Sequence, residues 1–325
     1  MFLNYGATLT FKFTKQRFLN EEIQSKDKAV FITGCDTGFG NLLAKRLDSK
    51  GFHVFATCLF PDGKGALELK ESRSQRLHVL HMDVTQDDSV EKALEYVKGN
   101  LGSSELWAIV NNAGIVKGFS VEFSSMKDFK DCLDVNTLGP VRVSKAFLPL
   151  LKQSKGRIIN ITSPAGVFPI PFCTPYCTSK YAAVGFNDCF RFEMDIWGIK
   201  VISIEPDMFQ TGLTDPKVLE EKFDSSLKDL GNSREEEFSE EFIDSVKKTK
   251  DFFISFACPQ VSLAVDDLES AICSTYPDPT YRPRRHIAFR FALFFYENLP
   301  KCCQFFSLKV ASYIFLSNPQ KKKNL

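Results

Sequence analysis

Histidine and tryptophan are scarce in this chain, with four and two copies among 325 residues. His53, His78, His81 and His286 show no metal-ligand spacing with one another or with the cysteine pairs 173/177 and 302/303. No metal site is therefore expected. No run of 18 uncharged apolar residues exists, which argues against a conventional membrane-spanning helix. The first residues lack the apolar stretch of a secretory signal, so the ten cysteines are read as reduced thiols rather than a disulfide framework. Net charge is missing too: 41 Lys and Arg face 40 Asp and Glu, which excludes a polycation built for nucleic acid. With 44% hydrophobic and 25% charged residues, wholesale disorder is excluded as well.

What is abundant is phenylalanine, 32 residues, clustered at 252–256 and 289–295. Charge is segregated along the chain. Residues 1–20 hold Lys12, Lys15 and Arg17 and no acid, and Glu297 is the sole acid of 282–325. An acidic body with basic ends points to ends that meet an anionic surface.

From Lys28 onward apolar runs recur at regular intervals: AVFIT at 29–33, HVFATC at 53–58, LHVLHMDV at 77–84, LWAIVNNAG at 106–114, GRIINITS at 156–163 and KVISIEP at 200–206. Continuous apolar runs suit strands buried on both faces. Between them lie helical patterns at 42–51, 88–100, about 126–153 and 176–196, with a last helix near 261–275. This alternation predicts an α/β fold with a doubly wound parallel sheet flanked by helices. Three regions follow: an appendage at 1–27, a domain at 28–285, and an aromatic, basic tail at 286–325. Within the domain, residues 207–250 are polar and charge-rich, with EEEFSEEF at 235–242 read as a solvated helix face and the whole stretch as a lid-like insertion.

Three constellations fall at strand ends, where such sheets bind ligands. The first, Thr33-Gly34-Cys35-Asp36-Thr37-Gly38-Phe39-Gly40, follows the first strand and opens a helix. Glycines there permit a tight turn and close approach of backbone N–H groups to a pyrophosphate. The second is Tyr176-Cys177-Thr178-Ser179-Lys180, preceded by Ser163 at the end of a strand. Tyr and Lys four apart share a helix face, and a nearby ammonium favours the phenolate of a Tyr whose reference pKa is ~10. The third is Asn111-Asn112-Ala113-Gly114, with Asn136 in the following helical region.

Together, in this order and spacing, TGCDTGFG, NNAG, Asn136, Ser163, YCTSK and Glu205-Pro206 resemble the short-chain dehydrogenase/reductase family. The resemblance runs from Lys28 to Pro206 and more weakly to about Pro300. It implies a Rossmann-type fold and hydride exchange between a nicotinamide cofactor and an alcohol or carbonyl. By the same resemblance Tyr176 is the acid/base, Lys180 lowers its pKa and holds the ribose, Ser163 positions the carbonyl, and Asn136 holds a water of a proton relay. The implied cofactor residues are Thr33, Gly34, Asp36, Gly38, Phe39, Gly40, Asp83, Asn112, Ala113, Gly114, Tyr176, Lys180, Pro206 and Thr211. The most similar branches are the membrane-associated retinol and hydroxysteroid dehydrogenases and the mitochondrial 3-hydroxybutyrate dehydrogenase. The family forms dimers or tetramers, which implies a homo-oligomer. One departure is Asp207, where the family has Gly after Pro206.

The loop between Ser163 and Tyr176, PAGVFPIPFCTP, carries no charge. It suits a lipidic alcohol of retinoid or steroid type, with Ser163, Val167, Phe168, Phe172 and Tyr176 as its expected contacts. The alternatives are a hydroxybutyrate, whose carboxylate would need a buried cation, and a non-catalytic dinucleotide-binding protein. NAD is expected over NADP, because the glycine turn and the end of the second strand hold Cys35, Asp36, Cys58 and Leu59 rather than Arg or Lys. Aromatic segments at 287–299 and 303–316, parted by Pro300, are too short to cross a bilayer and are expected to lie on its surface. The ending Lys322-Lys323-Asn324-Leu325 fits a retrieval pattern of endoplasmic-reticulum membrane proteins. The expected location is the cytosolic face of that membrane, with mitochondria as the alternative.

Overall fold

A computed structural model of the chain describes residues 21–71, 74–229, 239–283 and 295–315. Seven strands form one sheet: β1 (Lys28–Ile32), β2 (His53–Cys58), β3 (Leu77–His81), β4 (Glu105–Asn111), β5 (Arg157–Ile161), β6 (Lys200–Ile204) and β7 (Thr280–Tyr281). Their spatial order is β3-β2-β1-β4-β5-β6-β7, and every pairing is parallel. The order reverses beside β1, between the connections to β2 and to β4, and this crevice is where such sheets accept a dinucleotide.

The uniform apolarity of the strands has a direct cause in β1. Val30 and Ile32 point to one face and join Leu43, Leu47, Leu268 and Ile272. Ala29 and Phe31 point to the other and join Val97, Phe147, Leu151 and Met194. Both faces are covered, so neither carries polar residues. Each fully buried Leu, Val or Phe contributes about 1.5–3 kcal/mol. The helices of the domain are α1 (Gly38–Ser49), α2 (Lys64–Lys70), α3 (Asp87–Asn100), α4 (Met126–Leu133), α5 (Gly139–Ser154), α6 (Thr174–Asp195), α7 (Pro216–Asp229), α8 (Glu240–Ser255) and α9 (Ser262–Cys273).

Some expectations are refined. The helical stretch at 126–153 is two helices joined by a wide π turn at Asp134–Leu138. The first helix begins at Gly38, inside the glycine turn, rather than at 42. The polar reading of 207–250 missed its buried side: Phe223 and Val246 form a small core with Phe119 and Phe123. Of EEEFSEEF, 235–238 lie outside the described residues; Ser239 is buried, and α8 starts at Glu240 with Glu240 and Glu241 exposed. β7 has only two residues and was not read from the sequence. In the tail, a helical turn at 295–297 and α10 (Lys301–Phe315) are described. The first appendage, apart from 21–27, and the segments 287–294 and 316–325 lie outside the described residues. No helix among the described residues is long and apolar enough to cross a membrane.

Candidate active site

The site is assembled at the carboxyl ends of β1, β4, β5 and β6. After β1 the chain turns sharply at Gly34, whose φ of +67° disfavours any residue with a Cβ. A Cβ there would stand 2.7 Å from the Ala113 Cα. At Gly40 a Cβ would stand 2.5 Å from the Asn112 side-chain nitrogen and 2.8 Å from the Gly34 carbonyl. The glycine turn and the segment after β4 are thus pressed together, backbone on backbone.

Hydrogen bonds fix this contact. Asn112 Nδ2 donates to the carbonyls of Thr33 and Gly34, both at 2.8 Å. The Thr33 hydroxyl accepts from the backbone N–H groups of Asn112 and Ala113 at 3.0 and 2.9 Å. Thr211 lies beside the turn, so that a Cβ at Gly38 would be 3.5 Å from its side chain. Phe39 meets Phe209 edge-on at 5.6 Å between ring centres. Asp83 accepts from the backbone and hydroxyl of Thr85 at 2.9 and 2.8 Å, shaping the turn into α3. Pro206 is half-buried and sits between two ladder bonds, Glu205 N–H to the Tyr281 carbonyl at 2.8 Å and Asp207 N–H to the Pro283 carbonyl at 3.2 Å. Asp207, despite standing where the family has Gly, keeps the backbone aligned beside the segment that continues from β7 to Pro283.

Asp36 was expected within the glycine turn, but its carboxylate reaches the end of β2. It accepts from the backbone N–H of Leu59 at 3.0 Å and of Phe60 at 2.8 Å. A carboxylate therefore does stand at the end of the second strand, supplied from the neighbouring turn.

On the other side, Ser163 ends the segment after β5, with its hydroxyl accepting from Ala165 N–H at 3.1 Å. The Ser163 side chain acts on the Tyr176 phenol and favours its ionised form. Lys180 is buried, and its ammonium donates to the Ile161 carbonyl at 2.9 Å while standing 5.7 Å from the centre of the Tyr176 ring. Burial pushes the Tyr176 phenol up to about 12, only partly offset by the Ser163 side chain. The same burial pulls Lys180 down to about 8. Desolvation is the largest influence on both groups in the protein by itself. Three thiols, Cys173, Cys177 and Cys132, also act on the phenol and raise it further.

Asn136, in the π turn, uses its whole side chain as a brace. It accepts from Ile115 N–H at 2.8 Å and donates to the Ile115 carbonyl and to Ser179 Oγ, both at 2.9 Å. It thereby ties the segment after β4, where Gly114 lies, to the helix that carries Tyr176 and Lys180. Of the expected substrate contacts, Val167 and Phe168 are half-buried on the loop that follows Ser163. Phe172, at φ +59°, packs on the Phe119–Phe223 cluster formed with the insertion. Phe168 meets Tyr296 of the tail edge-on at 5.5 Å.

Two features carried no sequence signal. A chain of buried amides, Asn111 to Asn160 at 2.8 Å and Asn160 to Asn187 at 3.0 Å, locks β4, β5 and α6 together beneath the site. Arg282 donates to Glu205 at 2.8 Å and Glu297 at 2.9 Å, fastening the tail to the end of β6. No group of metal-ligating side chains occurs among the described residues.

A seven-stranded parallel sheet with a glycine cradle at its switch point and a Ser–Tyr–Lys set on the adjoining strand and helix defines a nicotinamide-dependent oxidoreductase. Residues 28–222 match the short chain dehydrogenase family. The chain belongs to that family, whose members act on CH–OH donors. It is 40% identical over 261 residues to retinol dehydrogenase 7 of Rattus norvegicus, covering 79% of this chain and 80% of that protein. To 11-beta-hydroxysteroid dehydrogenase type 2 of Oryctolagus cuniculus it is 37% identical, with coverage of 83% and 67%. To mitochondrial D-beta-hydroxybutyrate dehydrogenase of Mus musculus it is 36% identical, with coverage of 83% and 80%. The fold is that of a short chain dehydrogenase/reductase from Burkholderia phymatum solved with NAD, at a TM-score of 0.66 over 93% of this chain and 100% of that one.

Proposed function

We propose that this protein interconverts an apolar alcohol and its carbonyl, of retinoid or steroid type, with Tyr176 as the acid/base and NAD as the preferred cofactor. The observation that carries the reading is the buried Lys180, whose ammonium stands 5.7 Å from the centre of the Tyr176 ring and donates to the Ile161 carbonyl at the end of β5. The bound nicotinamide would accept or supply the hydride. The glycine turn at the end of β1 would hold its pyrophosphate, with Gly34 and Gly40 needed for the turn itself because a Cβ at either collides with Ala113 or Asn112.

In this reading Ser163 donates to the substrate oxygen and holds it against the Tyr176 hydroxyl. Tyr176 takes the alcohol proton in oxidation and returns it in reduction. A phenol at about 12 is a poor base at neutral pH, and a bound oxidised cofactor would supply positive charge that favours its ionised form. Lys180 at about 8 stays mostly protonated at pH 7 and adds to the same field. Asn136 acts here through position, keeping α6 registered against the cofactor segment.

The lipidic substrate is supported by the uncharged loop at 164–172 and by the pairing of three lysines of the insertion. Lys247 faces Asp224 at 2.9 Å, Lys248 faces Asp244 at 2.7 Å, and Lys250 faces Asp251 at 3.3 Å. A hydroxybutyrate carboxylate would compete with those acids for its counter-ion. NAD is supported by the Asp36 carboxylate, which is held at the end of β2 by the Leu59 and Phe60 N–H groups and would repel a 2′-phosphate there. A peripheral membrane position is supported by α10, where Phe306 and Tyr313 are 70% and 77% exposed. An endoplasmic-reticulum location facing the cytosol, and a homo-oligomeric state, accompany this reading.

The test is a panel of retinoids, steroid alcohols and 3-hydroxybutyrate with either cofactor, followed at the nicotinamide absorbance. Turnover of an apolar alcohol, lost in Tyr176→Phe with NADH binding retained, is the expected result. Turnover of 3-hydroxybutyrate alone would replace the substrate, and NADH binding without any turnover would leave the non-catalytic reading.

A further inference from the structure

The helix α10 is built inside out. Among its described side chains Gln304 alone is buried, and Leu308 is half-buried. Gln304 turns its amide back to the Tyr296 and Leu299 carbonyls, at 2.9 and 3.1 Å. The outward side is rich in apolar groups: Phe305, Phe306, Tyr313 and Ile314 are 62%, 70%, 77% and 70% exposed. A surface helix of a globular domain turns its apolar stripe to the core and its polar residues outward. The reverse arrangement calls for an apolar medium outside the protein.

Two thiols head this outward face. Cys302 and Cys303 are both exposed, with their Sγ atoms 4.0 Å apart. Six of the other eight cysteines are buried and Cys173 is half-buried, which leaves Cys189 on α6 as the remaining exposed thiol. Cys302 leads the row Phe306, Val310, Tyr313, and Cys303 leads the row Phe306, Val310, Ile314. Steps of three and four keep each row on one side of the helix. An acyl chain on either sulfur would therefore enter the same layer as the exposed rings. At ~1.5 Å per residue the 15 residues of α10 cover only ~22 Å, short of a ~30 Å hydrocarbon core, so the helix lies along a bilayer rather than through it. Stable attachment in that position takes two signals, such as two acyl chains, or one chain with a basic patch. Lys301 and Lys309 are exposed on α10, and Lys321, Lys322 and Lys323 follow it in the sequence. Cysteines on an amphipathic helix at a membrane are the usual acceptors of reversible S-acylation.

We infer that Cys302 and Cys303 are S-acylation sites, at which a long-chain acyl group fastens α10 to the membrane surface. This rests on the reading of α10 as a peripheral membrane element and adds a covalent hold to it. The donor is a long-chain acyl-CoA. The cysteine sulfur attacks the acyl carbonyl, the new S–C bond forms as the bond to the coenzyme A sulfur breaks, and the cysteine's proton ends on the coenzyme A thiol. Nothing is oxidised or reduced. Hydrolysis of the thioester returns the free cysteine and a fatty acid, so the hold is reversible.

The experiment expresses the full chain in eukaryotic cells fed an alkyne-bearing palmitate, as wild type, as Cys189→Ser and as the double variant Cys302→Ser/Cys303→Ser. Label released by neutral hydroxylamine is expected on wild type and Cys189→Ser, and is expected to fall about tenfold or more in the double variant. The share of the double variant in salt-washed membranes is expected to drop roughly 3- to 10-fold, while Tm and NADH affinity stay unchanged because both positions are exposed. Wild type that sediments with membranes but carries no hydroxylamine-released label overturns the inference and leaves the membrane reading standing. Wild type that is neither labelled nor sedimented overturns both. Label that persists in the double variant rejects these two sites, and loss of label with an unchanged membrane share rejects their anchoring role. Blocked thiols freed by a reductant but not by hydroxylamine would show a disulfide in place of the thioester and also reject it.

Discussion

The half of the molecule that faces the cofactor and the half that faces the substrate are made differently. The first is polar side-chain atoms against backbone: Asn112 Nδ2 and Thr33 Oγ1 bridge the glycine turn and the segment after β4 within 2.8–3.0 Å, and the lack of a Cβ at Gly34 and Gly40 allows the close approach. The second is side chain against side chain, contributed by Phe168, Phe172, the insertion around Phe223 and the tail at Tyr296. A common cofactor asks for one shape, so a rigid backbone cradle serves. A variable substrate asks for walls that change by substitution, and the expected substrate residues Phe168 and Phe172 pack against the tail and the insertion.

The sharpest way to break the contrast is Gly34→Ala. The positive φ and the approach of Ala113 leave no room for relaxation, and the change is expected to cost about 2–5 kcal/mol of stability and most of the NADH affinity. Thermal melting and NADH titration check this; a near-normal Tm would show the cradle to be softer than its contacts imply. Asp36→Ser removes the carboxylate at the end of β2. The ratio of NADP to NAD affinity is expected to rise about tenfold, the equivalent of ~1.4 kcal/mol, and an unchanged ratio would remove Asp36 from cofactor choice.

The next prediction concerns pH. Lys180 falls to about 8 in the folded protein, below the ordinary lysine value, so between about 8 and 10.4 the unfolded chain binds more protons and stability rises with pH. Tyr176 rises to about 12, so above about 10 the folded chain holds the extra proton and stability falls. Lys180→Met should abolish the rise between pH 8 and 10, read as the difference in Tm between the two proteins; parallel pH curves would contradict it. The smallest effect is expected on the substrate side. Replacing the exposed Phe305, Phe306, Tyr313 and Ile314 with serine should reduce co-sedimentation with anionic liposomes while Tm and NADH binding stay as they were. Equal partitioning of both proteins would count against the membrane reading.

The same contrast governs what the sequence made legible. Strands such as HVFATC at 53–58 are bounded as expected, because burial on both faces leaves an uninterrupted apolar run. The glycine turn and the Tyr176–Lys180 spacing were readable because local geometry dictates them. The π turn at Asp134–Leu138 was hidden, since its wider winding leaves the apolar periodicity nearly intact. The core of the insertion was hidden because Phe223 and Val246 find Phe119 and Phe123 about a hundred residues away. The grip of Arg282 on Glu205 and Glu297, and the reach of Asp36 to the Leu59 backbone, depend on tertiary placement that no spacing announces.

The central place of β1 in the sheet also has a consequence for synthesis. β1 pairs with β2 on one edge and with β4 on the other. Its second edge stays open until Glu105–Asn111 has left the ribosome, and β5 and β6 come later still. At about 5–20 residues per second, the interval between completing β2 and completing β4 lasts on the order of several seconds. Through that interval KAVFI offers an unpaired apolar edge to any other nascent chain. The strand that anchors the cofactor turn is thus the one whose protection during synthesis decides the yield of folded protein.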